Sequence, residues 1–177
     1  MKLNRTVALV GMMGAGKTSI GRRLAVRLDV PFRDADHEIE AAAGLTVAEI
    51  FARFGEPYFR DGERRVIARL LHEPPHVLAT GGGAIMDETT RAAMRQSTFT
   101  IWLKAPIPIL LSRVKKRETR PLLKEGDMRQ TMERLLSLRE PVYAQADMTL
   151  ESADEPHGAA VDRIVEALKA HHLLEMP

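Results

Sequence analysis

A glycine-rich octapeptide near the N-terminus constrains this chain more than any other feature. Gly11-Met12-Met13-Gly14-Ala15-Gly16-Lys17-Thr18 meets the pattern G-x-x-x-x-G-K-[ST] at every fixed position. Glycines let backbone N–H groups converge on phosphate oxygens with no Cβ in the way. Lys17 supplies a mobile positive charge for β- and γ-phosphates, and Thr18 a hydroxyl for Mg²⁺. The flanks fit as well. Thr6-Val7-Ala8-Leu9-Val10 is short, apolar and β-branched, as a buried strand requires. Beyond the loop, Ile20, Leu24, Ala25 and Leu28 recur at helical spacing. A strand, a glycine loop and a helix in that order aim the helix dipole at the phosphates.

The rest of the chain alternates in the same way. Apolar strands are expected at Val7–Val10, Pro31–Arg33, His76–Thr80, Phe99–Leu103 and Met148–Leu150. Helices are expected at about 17–28, 47–54, 57–71, 88–95, 106–116, 128–144 and 158–170. Such alternation implies an α/β fold with a parallel sheet covered on both faces. No linker, repeat or low-complexity tract interrupts it, so one domain over residues 1–177 is expected.

Composition narrows the partners. Hydrophobic residues make up 45% and charged residues 28%, the balance of a soluble globular chain. The net charge of +2 is too small to imply nucleic-acid binding, although the pI is about 9.1. With no cysteine there is no disulfide, thiolate nucleophile or thiolate metal site. No apolar run approaches the roughly 18 residues of a membrane span. The first strand starts too early for a signal peptide to precede it, so a cytoplasmic protein with no membrane partner is expected. His171-His172 lacks a partner pattern for a metal and reads as a solvated helix end.

In open α/β sheets, ligands sit beyond the carboxyl ends of the strands. The second expected strand runs into Asp34-Ala35-Asp36. At strand spacing, residues i and i+2 project to the same side, so both carboxylates are expected to face the crevice. One would organise Mg²⁺ and the other would address an acceptor hydroxyl. The third strand carries no acid at its end, which points to Asp34 as the acid near the metal. It runs instead into Gly81-Gly82-Gly83, expected where a ligand must approach the backbone closely. Arg60 and Arg139 stand in otherwise unremarkable helical sequence, where isolated arginines are usually surface residues. The charged, aperiodic stretch from about Lys115 to Asp127 reads as a flap that delivers arginine to phosphates and excludes water.

Together these residues resemble the shikimate kinase family over nearly the whole chain. The motifs that carry the resemblance are the phosphate loop, Asp34-x-Asp36, Gly55-Glu56-x-x-Phe59-Arg60-x-x-Glu63, Gly81-Gly82-Gly83, Arg120-Pro121-Leu122-Leu123 and Arg139-x-Pro141-x-Tyr143. Gly62 departs from the larger residue expected inside its helix, softening the helix start without altering a ligand. The resemblance implies a three-layer α/β/α P-loop kinase fold of the nucleoside monophosphate kinase type. Its five parallel strands would lie in the order 2-3-1-4-5, with acceptor-binding helices at about 36–62 and the flap at about 115–127. It also implies transfer of phosphate from ATP to the 3-hydroxyl of shikimate, on the route to aromatic amino acids. Gly14, Ala15, Gly16 and Lys17 would cradle phosphates. Thr18 would bind Mg²⁺ directly and Asp34 through water. Asp36 would receive the hydroxyl proton. Arg60, oriented by Glu63, and Arg139 would clamp the shikimate carboxylate beside Gly81, Gly82 and Gly83. Arg113 would stack on adenine, and Arg120 would meet the transferring phosphoryl group. A monomer with no partner beyond its two small-molecule substrates is expected.

Other readings fit less of the chain. Another small-molecule P-loop kinase, such as a gluconate kinase, would not need the paired aspartates, glycine triplet and two acceptor arginines together. A nucleoside monophosphate kinase would need a base-recognition site that the sequence does not show. A GTP-dependent switch would normally carry N-K-x-D, whereas Asn4 is the only asparagine. A non-catalytic shikimate-binding protein would not need Lys17, Thr18, Asp36 and Arg120 together.

Overall fold

Thr6–Val10 is buried at every position. Side chains alternate between the two faces of a strand, so both faces of the sheet must be covered there. The structure, a computed structural model, describes residues 1–116, 127–152 and 155–175. In chain order its elements are β1 (Lys2–Leu3), β2 (Thr6–Val10), α1 (Lys17–Leu28), β3 (Phe32–Asp34), α2 (Ala35–Ala43), α3 (Val47–Leu70) and β4 (Val77–Ala79). A 3-10 turn (Ala84–Met86) follows, then α4 (Glu88–Ser97), β5 (Thr98–Lys104), α5 (Ile107–Lys115), α6 (Met128–Tyr143), β6 (Met148–Glu151), α7 (His157–Ala170) and β7 (Leu174–Glu175).

Five strands form a parallel sheet in the order β3-β4-β2-β5-β6. Numbered among themselves, they have the expected order 2-3-1-4-5. The central strand β2 leads into the glycine loop, so the loop opens at the carboxyl edge between β4 and β5. The core includes Leu9, Leu24, Leu70, Leu78, Ile101 and Ile164, each 0% exposed. β1 and β7 pair antiparallel in a separate two-stranded sheet that the sequence did not reveal, because two residues show no period.

Two local features shape the region that carries Asp36 and Arg60. β3 stops at Asp34 and α2 begins at once, so Asp36 lies in the first turn of a helix and not on the strand. The expectation that Asp34 and Asp36 pair by strand spacing is therefore corrected. Asp34 accepts from the backbone N–H groups of Asp36 and His37, and this cap turns strand into helix. The two helices expected at 47–54 and 57–71 form α3, with a break at Gly55 (φ 82°, ψ 173°). Glycine adopts this positive φ without Cβ strain.

Gly62 lies in the interior of α3, well past its start, and a Cβ there would meet nothing within 4 Å among the described residues. Gly62→Ala should stabilise the fold by about 0.5–1 kcal/mol, by lowering the entropy of the unfolded chain. Thermal unfolding should show a rise of roughly 1–4 °C. A fall would mean that the helix needs glycine at this point.

Candidate active site

The glycine loop joins β2 to α1. Gly11 has φ 143°, and a Cβ on it would come within 2.7 Å of the Leu103 carbonyl. Gly14 has φ 81°, and a Cβ there would meet the Leu110 carbonyl at 2.9 Å. No larger residue fits either place without displacing backbone. Gly16 stands at the N-cap of α1 without a capping side chain. The first-turn N–H groups thus face the loop, where an anion can take them. Lys17 is 6% exposed, and its Nζ donates to the carbonyls of Gly11 (2.7 Å) and Met12 (2.9 Å).

Thr18 Oγ1 donates to Asp34 Oδ2 at 2.9 Å, while Asp34 Oδ1 caps α2. One carboxylate thus ties the phosphate loop to the helix that carries Asp36. A hydroxyl and a carboxylate oxygen in contact are the donor class that Mg²⁺ takes, with water and phosphate completing its shell.

A cleft of about 310 Å³ opens on the loop, lined by Met13, Gly14, Lys17, Thr18, Arg113 and His157 among others. Arg113 Nη1 donates to the Gly14 carbonyl (3.1 Å), and Nη2 reaches Ser152 Oγ (3.4 Å). His157, at the start of α7, was not singled out in the sequence. Burial lowers its imidazole pKa below 6.5, and Arg23 and Arg113 lower it further. Nothing but its place before a helical pattern could have drawn attention to it.

The glycine triplet after β4 collects four side chains. A Cβ on Gly81 would lie 3.0 Å from both Asp36 Oδ1 and Glu63 Oε2. One on Gly82 would lie 2.9 Å from Arg139 Nη1, and one on Gly83 would lie 2.5 Å from Arg60 Nη2. Four charged side chains thus stand over the glycines where a ligand is expected to approach the backbone.

The charges here are arranged unequally. Arg60 Nη1 donates to Glu63 Oε1 at 2.8 Å, and Nη2 reaches Glu56 at 3.4 Å. Burial opposes the Arg60 charge, but attraction and hydrogen bonding to Glu63, with help from Glu56, raise its pKa above the usual guanidinium value. Burial also pushes the Glu63 carboxyl above its usual range. Arg60 pulls it down, Asp36 raises it further and Arg139 opposes that rise. Glu63 Oε2 is buried and accepts no hydrogen bond from the described residues.

Arg139, from α6, is 5% exposed. Among the described residues no carboxylate forms an ion pair with it. Its Nη1 contacts Met12 Sδ at 4.0 Å. A buried guanidinium without an ionic partner costs several kcal/mol unless an anion reaches it, by roughly the estimate for a broken buried pair. The nearby Tyr143 donates to the Gly82 carbonyl, lies 3.8 Å from Met12 Sδ and packs on Trp102.

The structure thus gathers the predicted site residues into two adjoining groups. Gly14, Ala15, Gly16, Lys17, Thr18 and Arg113 lie on or against the phosphate loop. Asp36, Arg60, Glu63 and Arg139 surround Gly81, Gly82 and Gly83. Asp34 lies between the groups. Arg120, and with it most of the expected flap, lies outside the described residues. Met12 was missed because a buried methionine in a loop reads as core.

A family model described as shikimate kinase matches residues 13–169. A shikimate kinase of Bradyrhizobium diazoefficiens is 57% identical over 167 residues, 94% of this chain and 81% of that protein. One of Caulobacter vibrioides is 53% identical over 168 residues, 95% of this chain and 84% of that protein. The solved shikimate kinase of Acinetobacter baumannii, in complex with shikimate, superposes with a TM-score of 0.93 at 36% identity. That match covers 96% of each chain.

Proposed function

This chain belongs to the shikimate kinase family, and from that premise we propose how its residues transfer phosphate from ATP to the 3-hydroxyl of shikimate, giving shikimate 3-phosphate and ADP. The observation that carries the assignment of roles is Arg139. It is a buried guanidinium without an ionic partner among the described residues, set beside Arg60 over the glycine triplet. Shikimate has one carboxylate, and a guanidinium matches a carboxylate in a bidentate fork.

With its carboxylate on Arg60 and Arg139, the substrate ring lies by Gly82, and its hydroxyls come to Asp36. Asp36 accepts the proton of the attacking hydroxyl. Glu63 holds Arg60 in place through Oε1. Lys17 and the N–H groups of Gly14, Ala15 and Gly16 balance the phosphate charge, and Arg113 faces the nucleotide across the loop. Thr18 and Asp34 would hold Mg²⁺, which when bound neutralises charge on the phosphates. Arg120 completes the reading as the flap arginine at the transferring group. Phosphoryl transfer depends mainly on positioning and charge stabilisation, so this inventory suffices. Among the described residues no helix is long and apolar enough to cross a membrane. A single-domain cytoplasmic monomer acting on two small molecules accords with the family.

ADP release measured with shikimate, quinate, gluconate and nucleoside monophosphates tests the reading. Turnover should be specific to shikimate, and preference for any other acceptor would overturn it. Arg139→Ala should weaken shikimate binding by about 30- to 4,000-fold, the cost of unpairing a desolvated charge. ADP affinity should change far less. Calorimetric titration of each ligand reads both, and an unchanged shikimate affinity would move the carboxylate elsewhere.

A further inference from the structure

Met12 belongs to both halves of the site. It is 2% exposed. Its carbonyl accepts from Lys17 Nζ at 2.9 Å. Its Sδ lies 4.0 Å from Arg139 Nη1 and 3.8 Å from Tyr143 Oη. One residue therefore touches the lysine that serves the nucleotide and the arginine that holds the acceptor carboxylate. Trp102 lies along the same seam, against Gly11 and Tyr143.

The chemistry of Lys17 gives this seam two arrangements. In the structure the ammonium is held by the carbonyls of Gly11 and Met12. A phosphate is a stronger partner than a neutral carbonyl, because both members of the hydrogen bond are then charged. A lysine turned to the β- and γ-phosphates gives up those carbonyls. The Met12 peptide then loses a contact that fixes it, and its sulfur can withdraw from Arg139. A thioether is a weak acceptor. Arg139 Nη1 gains by exchanging that sulfur for a carboxylate oxygen.

Resting on the shikimate kinase reading, we propose that Met12 couples the two substrates: nucleotide binding releases Arg139 from the Met12 sulfur and so tightens the hold on shikimate. Met12 is a positioning residue, acting through Arg139. Linkage makes the effect reciprocal, so shikimate must tighten nucleotide binding by the same factor.

The test is a calorimetric cycle on the full-length protein. Shikimate is titrated with and without saturating MgADP, and MgADP with and without shikimate. The wild type should gain about 2- to 10-fold in each direction, the worth of one modest hydrogen bond. Met12→Leu keeps the volume and apolar character that the core needs, so the variant should fold. It removes the sulfur. Without nucleotide it should bind shikimate as tightly as the wild type does with MgADP, and the coupling factor should fall to one. A merely structural role would weaken shikimate binding equally in both states, and that result overturns the proposal. So does a wild type indifferent to MgADP, or a Met12→Leu protein that keeps the full factor. A wild type that binds MgADP but no shikimate overturns the functional reading itself, and the coupling with it.

Discussion

Lys17→Ala should lower kcat by about 10²–10³-fold or more, the loss expected when a preorganised charge is removed from a reacting group. Lys17 is held in place before any phosphate arrives, 6% exposed and hydrogen-bonded to two loop carbonyls. Bound nucleotide draws the ammonium from those carbonyls to its phosphates, so the charge is already beside the γ-phosphoryl group when negative charge builds there. Alanine is a strong helix former at the first position of α1, so the fold should survive. Circular dichroism and the melting temperature check the fold, and steady-state ADP release checks the chemistry. Turnover like that of the wild type in a folded Lys17→Ala protein would mean that another cation serves the phosphates.

Asp36→Asn should lower kcat by about 10²–10⁴-fold, the usual contribution of a positioned general base. The amide keeps the size of the side chain but cannot take the hydroxyl proton. A second readout separates lost charge from a disturbed fold. The Asp36 carboxylate raises the pKa of Glu63, so its neutralisation should lower the Glu63 pKa. The sign for stability follows. A Glu63 pKa raised by folding makes the native state lose stability as pH rises from the unfolded value near 4.5 through the folded value. Asp36→Asn should narrow that window and lessen the loss at neutral pH. Carbon-13 titration of the Glu63 carboxyl measures the shift. A folded Asp36→Asn protein with normal kcat would remove Asp36 from the proton transfer.

Much of this was legible in the sequence because the features concerned are local. The glycine loop fixes its own strand and helix. Five apolar stretches mark the parallel strands, and Gly55 with Pro57 marks the break in α3. The strand order followed from family resemblance, because periodicity says nothing about which strands become neighbours. What stayed hidden depends on contacts between distant segments. Asp34 and Asp36 read as neighbours on one strand, whereas a cap by Asp34 starts α2 between them. The triplet Gly81-Gly82-Gly83 read as room for a ligand, and only the fold shows Asp36, Glu63, Arg139 and Arg60 in that room. Met12 and His157 carry no sequence signal, since a buried methionine and a helix-start histidine are common for other reasons.

The glycine triplet has a consequence for heredity. Gly83 has an ordinary negative φ, and Gly81 and Gly82 are not among the glycines with positive φ, so backbone strain does not exclude other residues at these positions. Any replacement adds a Cβ, however, and each Cβ falls on different charged side chains. A survey of substitutions would therefore score these three positions as if their side chains did chemistry, though glycine has none. Their intolerance would be borrowed from the residues they make room for. A fault at Gly81 would show up in Asp36 and Glu63, one at Gly82 in Arg139, and one at Gly83 in Arg60.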